Sequence, residues 1–109
     1  MSVASDLITA LTDTGLSITQ NIYTGTNETY IIFNYTTIPD LFASNEPLEE
    51  RYLIQVHLIA LATTNTTAYQ KQIKTLLFAA EYDYPSTVQA SDDEAEQHIV
   101  FETETVVAV

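Results

Sequence analysis

The chain has 109 residues, 46% of them hydrophobic, no cysteine and a formal net charge of −12. That length fits one domain, and that apolar fraction excludes a disordered acidic tail. The missing cysteine excludes disulfides, thiolate catalysis and Cys-type zinc sites, and the three cations Arg51, Lys71 and Lys74 cannot build a phosphate-binding footprint.

Val3, Leu7, Ile8 and Leu11 recur at helical spacing, with Ser2 or Ser5 to cap the start and Gly15 placed to end the turn. This predicts a helix over residues 3–14. The N-terminal stretch lacks a basic segment followed by a continuous apolar one, so it is not expected to be a signal peptide. Ser17 to Tyr23 reads as a strand, and Thr24-Gly25-Thr26-Asn27 as a turn. Tyr30 to Thr36 is aromatic and β-branched, which predicts a second strand. The two are expected to pair as a hairpin.

Residues 37–50 hold Pro39 and Pro47, with Asp40, Glu46, Glu49 and Glu50 between and after them. Proline interrupts sheet ladders and the acids favour water, so a loop is expected. Leu41 and Phe42 are its large apolar residues. Together with Asp40, Glu46, Glu49 and Glu50 they are candidates for a partner interface. The plainer reading tucks Leu41 and Phe42 over the edge of the core.

Arg51 to Leu61 carries Tyr52, Ile54, Val56 and Leu58 on one face and Leu53, Gln55, His57 and Ile59 on the other. A strand apolar on both faces belongs in the middle of a sheet or under a neighbour. Thr63 to Thr67 is a polar break with residues suited to cap a helix. Tyr69, Ile73, Leu76, Leu77 and Ala80 then follow an amphipathic helical pattern that stops before Pro85. Residues 86–91 read as a short strand, Asp92 to Glu96 as an acidic turn, and Gln97 to Val107 as a last strand. The order α-β-β-β-α-β-β predicts a single α+β domain: a mostly antiparallel sheet with both helices on one side.

No catalytic, cofactor or metal site is expected. The two glycines, Gly15 and Gly25, build no phosphate loop. His57 and His98 lie inside predicted strands with no nucleophile pattern beside either. Their rings could meet if those strands are neighbours, with Glu102 on the same face as His98. A catalytic zinc site needs three protein ligands, and the plain reading is two strand-face histidines with hydrogen-bond partners. The acids of 92–96 lack the alternation, glycine and closing Glu of a calcium loop.

Four strings carry a resemblance. They are Tyr30-Ile31-Ile32-Phe33-Asn34-Tyr35, Arg51-Tyr52-Leu53-Ile54-Gln55-Val56-His57-Leu58, Lys71-Gln72-Ile73-Lys74-Thr75-Leu76-Leu77-Phe78 and Gln97-His98-Ile99-Val100-Phe101-Glu102. In that order and spacing the chain resembles the tail-completion, or tail-terminator, proteins of long-tailed phages. The resemblance implies a sheet flanked by helices and a non-catalytic protein of the virion, at the head-proximal end of the tail and in the host cytoplasm during assembly. The partners it implies are copies of itself in a hexameric ring, the tail tube protein and a head-completion or connector protein. DNA passes through such a ring without specific binding, and no membrane is involved. Asp92, Asp93, Glu94 and Glu96 become candidates for acids facing the lumen, where like charge would repel DNA. Similar proteins are expected to carry glycine just after the second helix, where this chain has Glu81-Tyr82-Asp83-Tyr84.

Two other classes compete with this reading. An acidic DNA mimic that inhibits a host DNA-binding enzyme would show carboxylates at phosphate-like spacing on one face. A small hydrolase would need His57 or His98 beside a nucleophile and ranks below both.

Overall fold

The computed structural model describes residues 3–22, 25, 29–43, 46–92 and 96–108, giving the backbone alone at 40–43, 46–48, 89–92 and 108. It contains helix α1 (Val3–Leu11), continued by a 3-10 turn (Thr12–Thr14), and helix α2 (Thr67–Ala79). Five strands complete it: β1 (Ser17–Gln20), β2 (Tyr30–Ala43), β3 (Glu46–Leu61), β4 (Ser86–Asp92) and β5 (Glu96–Ala108). They form one sheet in the order β1-β2-β3-β5-β4. This is the expected α+β order, and β3 holds the central position its two apolar faces called for.

Period two sorts the sheet into two faces. Ile31 and Phe33 on β2, Ile54, Val56 and Leu58 on β3, and Ile99 and Phe101 on β5 are buried in one cluster with Leu7, Leu11, Ile73 and Leu77. The register places Phe33 opposite Val56, and Val56 opposite Phe101. Both helices therefore cover this face. The other face carries Asn34, Arg51, Leu53, Gln55, His57, His98, Glu102 and Glu104, and among the described residues no helix lies over it.

Helix α1 ends as its glycine required. Gly15 has φ 75 and its N–H bonds the Thr12 carbonyl at 3.1 Å. Helix α2 ends the same way without a glycine. Glu81 takes φ 72, its N–H bonds the Phe78 carbonyl at 3.1 Å, and the Tyr82 N–H bonds the Leu77 carbonyl at 3.1 Å. That pair of bonds is the Schellman arrangement, and the buried Tyr82 and Leu77 supply its apolar contact. The start of α2 is held by Gln97 of β5. Its Nε2 donates to the carbonyls of Leu61 at 2.9 Å and Thr64 at 2.7 Å, while its Oε1 accepts from Thr66 Oγ1 at 3.3 Å.

Two expectations fail. Strand β1 pairs with β2 in parallel, from Ser17 opposite Tyr30 to Gln20 opposite Phe33, so the two do not form a hairpin. The chain reverses at Asn21, which takes φ 67, a left-handed conformation asparagine tolerates. Of the expected Thr24–Asn27 turn, only Gly25 lies within the described residues.

The second correction concerns 37–50. Those residues are not a loop. Strand β2 runs to Ala43 and β3 starts at Glu46, with thirteen paired positions from Tyr30 opposite Ile59 to Ala43 opposite Glu46. Strand β5 accompanies β3 only as far as Glu49 opposite Ala108. Beyond that point the hairpin continues as two strands. Proline is tolerated there because β1 pairs with β2 only through Phe33, leaving Pro39 on an open edge. The arm gives the molecule its length: 54 Å against 25 and 24 Å in the other directions. The radius of gyration is 15.1 Å, where a compact chain of this size has about 13 Å.

Candidate functional site

The acidic candidates fall at opposite ends of the sheet. Asp40, Leu41 and Phe42 sit on the outer part of β2, and Glu46, Glu49 and Glu50 on the first residues of β3. The ladder brings them together: Asp40 stands opposite Glu49, and Glu50 opposite Pro39. The second set is at the far end of β3. Glu96 opens β5 opposite Leu61, and Asp92 closes β4 opposite Gln97, while Asp93 and Glu94 lie outside the described residues. Strand β3 spans roughly 50 Å between the two sets at about 3.4 Å per residue. They cannot serve one contact.

Acids opposed across a ladder repel. Asp40 and Glu49 occupy such positions. Arg51 lies two residues further on, and its guanidinium bonds Glu104 Oε2 at 3.4 Å. The arm is therefore an acidic end whose nearby cation already has a carboxylate.

Among the described residues, the open sheet face holds a hydrogen-bonded chain that could move protons. Residue pairing sets His57 opposite Val100 and His98 opposite Ile59, so the two histidines are diagonal neighbours on β3 and β5. His57 Nδ1 and His98 Nε2 are 2.7 Å apart, and Asn34 Nδ2 is 3.2 Å from His57 Nε2. With the Asn34 amide donating, His57 Nε2 accepts and Nδ1 carries the ring proton, which it donates to His98. The chain Asn34 to His57 to His98 is thus complete with both rings neutral. Burial and then the neighbouring His98 lower the His57 pKa from its ordinary value of 6.5.

This geometry fixes a pH dependence. A lowered folded-state pKa means the unfolded chain takes up the proton first as pH falls. The contribution is intact above pH 6.5 and is lost as pH drops from there through the depressed value. Thermal melts between pH 8 and pH 5 should show a falling midpoint over that window, and His57→Gln should flatten that part of the curve. An unchanged slope in the variant would assign the loss to carboxylates instead.

Beside the histidines a groove of about 550 Å3 opens, lined among others by Asn34, Leu53, Gln55, Tyr84, Glu102 and Glu104. Among the described residues no group of three or more His, Cys, Asp or Glu side chains could hold a metal ion, so His57, His98 and Glu102 do not form a coordination set. No helix of the described residues is long and apolar enough to cross a membrane.

The sequence reading overlooked an aromatic pair. Phe78 and Tyr84 are 61% and 62% exposed, and their ring centroids lie 5.7 Å apart in an edge-to-face contact. Phe78 stands outside the i, i+4, i+7 pattern that marks the buried face of α2, which was the signal available.

No family model matches this chain, and no curated protein matches it. Solved structures do share the fold. One is 12% identical, with a TM-score of 0.56 over 99% of this chain and 97% of its own. At that identity the likeness is one of fold.

Proposed function

We propose that this chain is a phage tail-completion protein. It caps the tail tube at full length, forms a six-fold ring at the head-proximal end of the tail, and offers the surface on which the head docks while DNA passes through. One observation carries the reading: the order and spacing of the four strings from Tyr30 to Glu102. These strings fall on β2, β3, α2 and β5, elements that contribute most of the buried cluster.

The shape supports it. A small protein that extends a two-stranded arm past its own sheet leaves ladder edges open within one copy, and assembly supplies partners for them. The charge supports it too, since an acidic lining lets DNA slide. In this reading Asp92 and Glu96, at the end of the sheet opposite the arm, belong to the lumen side. The DNA-mimic alternative requires a single row of carboxylates. Among the described residues Glu49, Glu102 and Glu104 do share the open sheet face, but Arg51 stands among them in contact with Glu104, and Asp6, Asp13, Glu50 and Glu81 lie elsewhere.

The test is negative-stain microscopy of tails assembled without this protein, before and after its addition. Tails of uniform length that gain a terminal ring and become able to join heads are the expected result. Bare tail ends at saturating protein would sink the proposal, and capture of a host DNA-binding enzyme would then favour the mimic.

A further inference from the structure

The two lysines of this chain are not scattered. Lys71 and Lys74 lie on α2 with Phe78, at i, i+3 and i+7; Lys71 and Phe78 are exposed, and Lys74, half-buried, flanks the face of Ile73 and Leu77. Phe78 extends the stripe through its ring contact with Tyr84. Among the described residues neither lysine has an ion-pair partner. A chain of net charge −12 thus places two of its three cations beside the two most exposed aromatic rings among the described residues. Exposed aromatic rings are enriched at interface centres, and charged side chains such as these lysines suit the polar rim around them.

The matching surface is on the arm. Ile38, Arg51 and Val106 form one cross-strand row on the open sheet face, with Leu53 in the next row. Ile38, Leu53 and Val106 are all exposed. Glu49 lies on the same face, two residues before Arg51, and faces the position of Asp40. This patch sets Arg51, paired with Glu104, between the apolar Ile38 and Val106, and is acidic at its end. The α2 stripe is aromatic at one end and cationic along its length.

We infer that the two patches bind one another between copies: the outer stripe of α2 on one protomer seats on the open face of the β2–β3 arm of the next. The lysines meet the acidic end of the arm at Glu49, and Phe78 covers the Ile38, Leu53 and Val106 patch. Charge complementarity names a second copy as the occupant, because both halves of the match are present in this chain and on different elements. Two unlike patches make a head-to-tail contact, which closes into a ring when its rotation allows. The inference deepens the ring reading above and rests on it for the closed form of the assembly.

The test uses charge reversal in the full chain, read by sedimentation and by tail capping in parallel. Lys71→Glu with Lys74→Glu should weaken self-association by at least about tenfold, as should Asp40→Lys with Glu49→Lys. The chain carrying all four changes should recover, since the attraction is restored with its signs exchanged. Because the wild-type chain has no cysteine, Lys74→Cys and Glu49→Cys proteins mixed together should form a disulfide-linked pair that neither forms alone. Lysine variants that associate and cap tails as the wild type does would overturn this interface while leaving the tail-completion reading in place. So would failure of the four-fold variant to recover, or a wild type that stays monomeric both in solution and on tails. A wild type that associates through this contact but leaves tail ends bare would do the reverse, keeping the interface and removing the function.

Discussion

Phe33→Ala should lower the stability of this domain by about 3–5 kcal/mol, the usual cost of deleting a fully buried phenylalanine ring. Phe33 is 0% exposed and stands in the middle of the sheet, opposite Val56, with Phe101 on the far side of Val56. The face it fills is the one covered by α1 and α2, so the cavity opens where the two layers meet. A single domain of this size has a total stability of about 5–15 kcal/mol. The loss therefore removes a large fraction of it, and should lower the midpoint of thermal unfolding by on the order of 15–30 °C. Urea titration followed by circular dichroism measures it directly. The control is Ile22→Ala at the exposed start of the β1–β2 connection, which should change stability by less than about 0.5 kcal/mol. A Phe33 variant as stable as that control would mean the two layers do not pack as described.

Glu81→Gly should act in the opposite direction and raise stability by about 1 kcal/mol. Glu81 holds φ 72 with both hydrogen bonds of the helix end in place. A residue with a Cβ pays roughly 1–2 kcal/mol for that conformation, and glycine escapes the clash while losing some of the gain to a freer unfolded chain. The expected rise in the thermal midpoint is about 4–8 °C. Glu81→Ala, which keeps the Cβ and removes only the charge, separates the two effects and should change little. If both variants are stabilised equally, like-charge repulsion rather than backbone strain was being relieved.

The position after α2 also shows how sequence and structure divide the information. The helix itself was legible: Tyr69, Ile73, Leu76 and Leu77 mark its buried face, and it ends within a residue of Ala80. Glutamate gives no local sign of a left-handed turn, so the end looked unsupported. The turn forms because Tyr82 must bury beside Leu77, and that tertiary contact outweighs the local preference of Glu81. The case of β1 is similar. Ser17 to Gln20 was recognisable as a strand, but its direction was not. A turn-like Thr24–Asn27 segment argued for a hairpin, while the observed reversal happens at Asn21.

The candidate site divides in the same way. His57 and His98 could be picked out as ring-bearing strand residues. Their 2.7 Å contact depends on β3 and β5 being neighbours, which pairs residues 41 positions apart. The arm was hidden by its own composition, since two prolines and four acids read as loop. Pairing Asp40 with Glu49 and Pro39 with Glu50 is not favoured locally. It follows because the strongly apolar ladder from Tyr30 to Ile59 fixes the register, and the ladder carries that register outward.

What the sequence alone determined is the set of elements, the central place of β3 and the two-faced character of the sheet, because each depends on hydrophobic period within about ten residues. The tertiary structure decided which strands are neighbours, which way β1 runs, how far the β2–β3 arm extends, and where the lysines, the exposed aromatics and the arm acids stand relative to one another. These are set by contacts between residues far apart in the chain, and no local preference encodes them.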